Sequence, residues 1–154
     1  MPAPILSSVA CAPPGEAVAG FQNVLLVDAP FVDTVWRLRE AIEAADFWIL
    51  QEINYQLYLK RGGYEIAPMR QLLFFHPRFT TRILEADSAA LLETPLKIAI
   101  LELPVGPVQV RWADTTAAFT RYGNAALTDL GRELGATCHE IANATLLRNG
   151  SPSV

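Results

Sequence analysis

At Phe47 the spacing of apolar residues changes. Within Phe31–Asp46, the residues Val35, Leu38, Ile42 and Ala45 recur every three or four positions, which makes one stripe along a helix. From Phe47 the period is two. Phe47, Ile49, Ile53, Tyr55, Leu57 and Leu59 share one face, and Glu52, Asn54, Gln56 and Lys60 share the other. A helix feeding straight into a strand favours folds in which helices pack on a sheet. Taken literally, the second segment is one very long strand. A strand to about Asn54 followed by a helical turn through Arg61 fits too, because Tyr55, Tyr58 and Leu59 also match helical spacing. Gly62 and Gly63 end the segment either way.

The flanking pattern completes the fold class. Phe21–Asp28 carries Val24, Leu25, Leu26 and Val27 and reads as a buried strand, broken by Pro30. Asp33 is placed to cap the following helix, and Arg39 and Glu43 are spaced for an i,i+4 pair on its wet side. Met69–His76 is a short, nearly all-apolar strand. Pro77 suits the first position of a short helix to Ala86, with Phe79 and Ile83 inward. Leu96, Ile98 and Ile100 alternate, Pro104-Val-Gly-Pro107 turns the chain, and Val108, Val110 and Trp112 alternate back, predicting a hairpin. A last helix from about Asn124 to Leu147 has the stripe Leu127, Leu130, Leu134, Cys138 and Ile141; Gly131 and Gly135 weaken it or permit close packing. The pattern predicts an α+β fold, an antiparallel sheet with helices packed on one face. It divides the chain into an extended Pro/Ala-rich arm over 1–19, a single domain over 20–147 and a polar tail over 148–154.

Composition narrows the function. The chain has 154 residues, of which 51% are hydrophobic, and its mean hydropathy is +0.24. That is apolar for one soluble domain, yet no run reaches the roughly 18 apolar residues of a membrane span. Apart from plain alanine richness, surplus apolar surface points to an interface or a greasy pocket. Trp48, Leu50 and Tyr58 fall on the sheet face away from the helices, and a second copy of the chain is the simplest cover for them. The net charge of −4 and the lack of a basic stripe argue against nucleic acid. Cys11 and Cys138 lie too far apart in sequence to read as a disulfide framework. Ser8-Val-Ala-Cys11 resembles a lipoprotein box, but the residues before it are few and carry no Lys or Arg. The expected compartment is the cytoplasm, or the periplasm if haem is bound.

Candidate chemistry is sparse. His76 precedes a proline that holds it extended. With Phe74, Phe79 and Tyr55 it could line a ligand site, including one for haem iron; the alternative is a histidine capping the helix that Pro77 opens. Gly135-Ala-Thr-Cys138-His139 resembles a c-type haem attachment motif without its first cysteine, but the wheel puts Cys138 on the core stripe and His139 on the wet face. Trp36, Trp48 and Trp112 could line a pocket but fit core or interface positions better. Glu52 and Glu93 are the one conceivable acid–base pair, and nothing in the sequence places them together. No phosphate-cradling glycine loop, nucleophile elbow or zinc spacing occurs.

Five segments, in order, carry a family resemblance: Thr34-Val-Trp-Arg-Leu-Arg-Glu-Ala-Ile42, Ile49-Leu-Gln-Glu-Ile-Asn54, Leu72-Leu-Phe-Phe-His-Pro77, Glu93-Thr-Pro-Leu-Lys97 and Val108-Gln-Val-Arg-Trp-Ala-Asp114. Over about residues 20–145 the chain resembles the family catalogued as domain of unknown function 302. The resemblance implies a β-α-β(4)-α sheet similar to the TATA-box-binding-protein architecture, and a homodimer; it implies no reaction. Many relatives carry Asp, sometimes Asp-His, where this chain has Asn54-Tyr55, and Gly-Asn-Pro where it has Phe75-His76-Pro77. The obvious acid–base or metal pair is thereby lost. The expected function is a non-catalytic binding module, a homodimer or an accessory subunit of a larger assembly, without a cofactor. The alternative is a small-molecule or haem carrier with His76 as ligand, and an enzyme is the least supported class.

Overall fold

The computed structural model describes residues 2–146. Its centre is a five-stranded antiparallel sheet in the order β2-β7-β6-β5-β3. The strands are β2 (Gln22–Val27), β3 (Trp48–Asn54), β5 (Met69–Phe75), β6 (Leu96–Leu101) and β7 (Val108–Ala113). A separate two-stranded parallel ladder joins β1 (Ser7–Ser8) in the N-terminal arm to β4 (Tyr64–Glu65). The helices are α1 (Phe31–Ala44), α2 (Tyr55–Arg61), α3 (Pro77–Ala86), α4 (Thr115–Thr120) and α5 (Ala125–Asn143), with 3₁₀ turns at Glu16–Gly20, Ser88–Glu93 and Ala144–Leu146. The tail over 148–154 lies outside the described residues.

One hydrophobic core lies between one sheet face and the helices. Leu38 and Ile42 of α1, Ile83 of α3, Phe119 of α4 and Leu127 and Leu130 of α5 meet Leu72, Phe74, Ile98, Ile100 and Val110 of the sheet. Burying each of these side chains stabilises the fold by about 1.5–3 kcal/mol. The α+β arrangement expected from the patterning is therefore present.

Four local expectations change. The long strand ends at Asn54, whose side chain accepts the Leu57 amide and caps α2; the helical turn is the reading that holds. Pro30, not Asp33, is the residue before the first turn of α1, and Asp33 lies inside that turn. Arg39 reaches Glu52 at 3.4 Å, so the expected pairing is not with Glu43. The fourth change is a β-bulge. Ile49 lies opposite Phe74 and Gln51 opposite Leu73, leaving Leu50 without a partner. The extra residue reverses the alternation. Glu52 thus shares the core-side face with Leu72, and Ile53 turns outward beside Gln71.

Candidate functional site

His76 sits where β5 gives way to α3. Its Nδ1 accepts the Arg78 amide at 3.1 Å, capping α3. An accepting Nδ1 places the proton of the neutral ring on Nε2, which lies 3.2 Å from Asp46 Oδ2 and donates to it. Asp46 is there because α1 ends in a Schellman motif. Its φ is 67°, its amide bonds Glu43 and the Phe47 amide bonds Ile42. Phe47 and Phe79 both meet the imidazole edge-to-face, at 5.5 and 5.4 Å. The cavity beside the ring is only about 10 Å³, room for one water at most. Both ring nitrogens are occupied, so a haem iron would have to displace the Arg78 amide or the Asp46 carboxylate.

The other ligand residues named from sequence do not all gather there. Phe74 is fully buried and its ring meets that of Phe47 edge-on at 5.6 Å. Tyr55 follows Asn54, opposite Arg70 near the start of β5, and its hydroxyl donates to Gln71 at 2.9 Å. It lies at the far end of β5 from His76. Cys138 is buried, and desolvation pushes its thiol up to about 12, which leaves little thiolate. His139 is exposed and meets the Trp112 ring edge-on at 5.3 Å. Glu52 is bound by Arg39 and by Arg70 at 3.1 Å. Glu93 instead accepts the Tyr122 hydroxyl at 2.9 Å and faces Arg121 at 3.6 Å. Each glutamate is thus engaged on its own side of the fold. Among the described residues no group of three or more His, Cys, Asp or Glu could hold a metal.

The sheet face away from the core carries a different set. Cross-strand partners share a face, so the register assigns Val24, Leu26, Ile53, Trp48, Leu73 and Phe75 to it. Trp48 is 58% exposed and stands edge-on to Phe75 at 5.6 Å. Leu50 protrudes at the bulge, and Tyr58 lies on α2; both are more than half exposed. Gln22, Gln51, Gln71 and Gln109, with Lys97 and Arg111, supply the polar remainder.

Sequence reasoning missed two hollows. The β6–β7 ladder stops at the Ile98–Trp112 pair, and beyond it the strands part. There a cleft of about 360 Å³ opens between Glu93–Lys97, Trp112 and α4, with Cys138 among its walls. On the outer face a shallow dish of about 400 Å³ is bordered by Gln22, Gln71, Arg111 and Leu101. Lys97, Trp112 and Ala113 border both. Two of the five motif segments, Glu93–Lys97 and Val108–Asp114, converge here in the fold, and nothing in their local spacing signals it.

These features define a small α+β domain whose antiparallel sheet is covered by helices on one face and open on the other. A family model described as "Domain of unknown function DUF302" matches residues 24–145, and the chain belongs to that family. A crystal structure described as an uncharacterized conserved protein DUF302 from Bacillus stearothermophilus is similar in fold, with a TM-score of 0.75. It is 17% identical, and the match covers 81% of this chain and 98% of that one. No curated protein matches the chain. No helix among the described residues is long and apolar enough to cross a membrane.

Proposed function

We propose that this protein is a non-catalytic binding module that pairs with a second copy of itself through the β5–β3 half of the open sheet face. One observation carries the reading: Trp48, Leu73 and Phe75 form an apolar corner on a face that contributes nothing to the helix-covered core. Exposed apolar patches of this kind mark contact surfaces. The bulge at Leu50 supports face-to-face contact over strand addition, because a broken edge templates poorly. The hydrogen-bonded state of His76, Glu52 and Glu93 fits the same reading, since each is held by structural partners.

Native mass spectrometry tests it. A species of twice the chain mass is expected, and Trp48→Glu or Leu73→Glu reduces it to one chain, while circular dichroism stays unchanged. A stable one-to-one complex with another protein, lost in the same variants, would keep the module and replace the second copy. A single-chain species that binds nothing and is indifferent to Trp48→Glu ends the proposal.

A further inference from the structure

The other half of the open face sets polar and cationic side chains among the exposed Val24 and Leu26. Arg111 donates from Nε to Gln109 Oε1 at 2.9 Å and from a terminal nitrogen to Gln22 Oε1 at 3.3 Å. Two neutral amides thus fix the guanidinium without neutralising it. Ala99 lies opposite Arg111, so Lys97, two positions along β6, lies on the same face and diagonal to it. Neither cation has a carboxylate within ion-pair distance among the described residues. The five strands place no Asp or Glu on this face, although the whole chain carries a net charge of −4. Two side-by-side cations repel each other, and one anion between them removes the penalty.

Beside this pair lies the cleft, lined on its deeper side by Leu96, Ala118, Phe119 and Cys138 together with Thr115, with the exposed Leu92 at its mouth. Its volume, about 360 Å³, falls in the lower range of small-molecule sites. The one carboxylate on its wall, Glu93, is already held by Tyr122 and Arg121. Lys97 stands on the rim of both hollows.

We infer that the dish and the cleft form one site for an amphipathic organic anion, with a carboxylate or phosphate head between Lys97 and Arg111 and an apolar body in the cleft. The site builds on the reading of the open face as a binding surface and is centred on Arg111; it meets the apolar corner at Leu73, which lies opposite Lys97 and on the cleft wall.

Calorimetric titration of the full chain tests this with decanoate and decyl phosphate, against decanol for the body alone and inorganic phosphate for the head alone. Saturable binding of decanoate or decyl phosphate is expected, and whichever binds identifies the head. The two partial probes bind about tenfold more weakly or worse. Arg111→Gln and Lys97→Gln each weaken binding by about tenfold, and Arg111→Lys by less, since it keeps the charge. Both residues reach solvent, so folding is retained and checked by circular dichroism. If neither amphiphile binds, or if binding ignores both substitutions, the site is overturned. Native mass spectra of the same samples keep the two proposals apart. A dimer broken by Trp48→Glu in a protein that binds no amphiphile leaves the module standing and removes the anion site.

Discussion

The Thr115 hydroxyl donates to the Gly131 carbonyl at 2.7 Å, where α4 crosses α5. A β-carbon at Gly131 would lie 2.7 Å from the Thr115 carbonyl oxygen and 2.8 Å from Phe119 Cβ. The glycine is thus what lets the helices approach, and of the two sequence readings, close packing is the one that applies. Gly131→Ala gains about 1 kcal/mol of helix propensity. The clash falls on backbone and on a fully buried phenylalanine, so overpacking costs about 1–3 kcal/mol and wins. Urea denaturation is expected to show a net loss of stability; a stabilised variant would show that the two helices can separate freely.

At His76 the expected result concerns capping. His76→Ala removes the acceptor for the Arg78 amide and the edge contacts to Phe47 and Phe79, and is expected to cost about 1–2 kcal/mol. His76→Asn restores an acceptor at the cap and should recover part of that loss. The same variants bear on haem. Added haemin is expected to give no Soret band that His76→Ala abolishes. A His76-dependent band would mean that iron outcompetes the helix cap.

Much of this fold was legible because spacing alone encodes it. Pro77 with Phe79 and Ile83 fixed α3, and alternation through Ile98, Ile100, Val108 and Val110 fixed the β6–β7 hairpin. The bulge was not legible. Ile49-Leu-Gln-Glu-Ile53 alternates equally well with or without an extra residue, and only pairing with β5 selects one. The short helix α4 gives no helical stripe over Thr115-Thr-Ala-Ala-Phe-Thr120; its one local signal is Asp114, whose carboxylate accepts the Ala117 amide and caps it. The site was less legible still. The histidine cap is legible, because Pro77 opens α3 directly after His76; its partner Asp46 is not, because only the left-handed turn at the end of α1 brings that carboxylate to the ring. The cleft exists only because two strands part after Trp112, which no local pattern records.

Glu52 shows what the bulge achieves. Its carboxylate is brought to the core-side face, where it bridges Arg39 of α1 and Arg70 of β5. With the carboxylate about one quarter exposed, at 26%, the bridge is only partly screened. Glu52→Ala leaves two guanidinium groups facing each other and is expected to cost about 1 kcal/mol. Glu52→Gln keeps the acceptor oxygen and should cost less. A double-mutant cycle with Arg70→Ala measures the coupling, and a coupling of zero would show the pair to be incidental.

The last prediction concerns pH and Cys138. Burial pushes its thiol from 9.0 up to about 12, so the folded state favours the protonated form. Below about pH 9 both states hold the proton and the shift has no effect on stability. Between pH 9 and 12 the unfolded chain releases the proton while the folded chain keeps it. Stability therefore falls as pH rises, by about 1.4 kcal/mol per unit from this group. Tyr122 also has a raised pKa, chiefly through its hydrogen bond to Glu93, and pulls in the same direction at higher pH. Comparing Cys138→Ala with the parent chain separates the two. The variant is expected to be less stable at pH 7, because it leaves a void in the core, and to lose stability less steeply above pH 9. In the native parent, iodoacetamide at pH 8 should label the partly exposed Cys11 and spare Cys138. Equal pH slopes in the two proteins, or rapid labelling of Cys138, would show that its thiol meets water in the folded state.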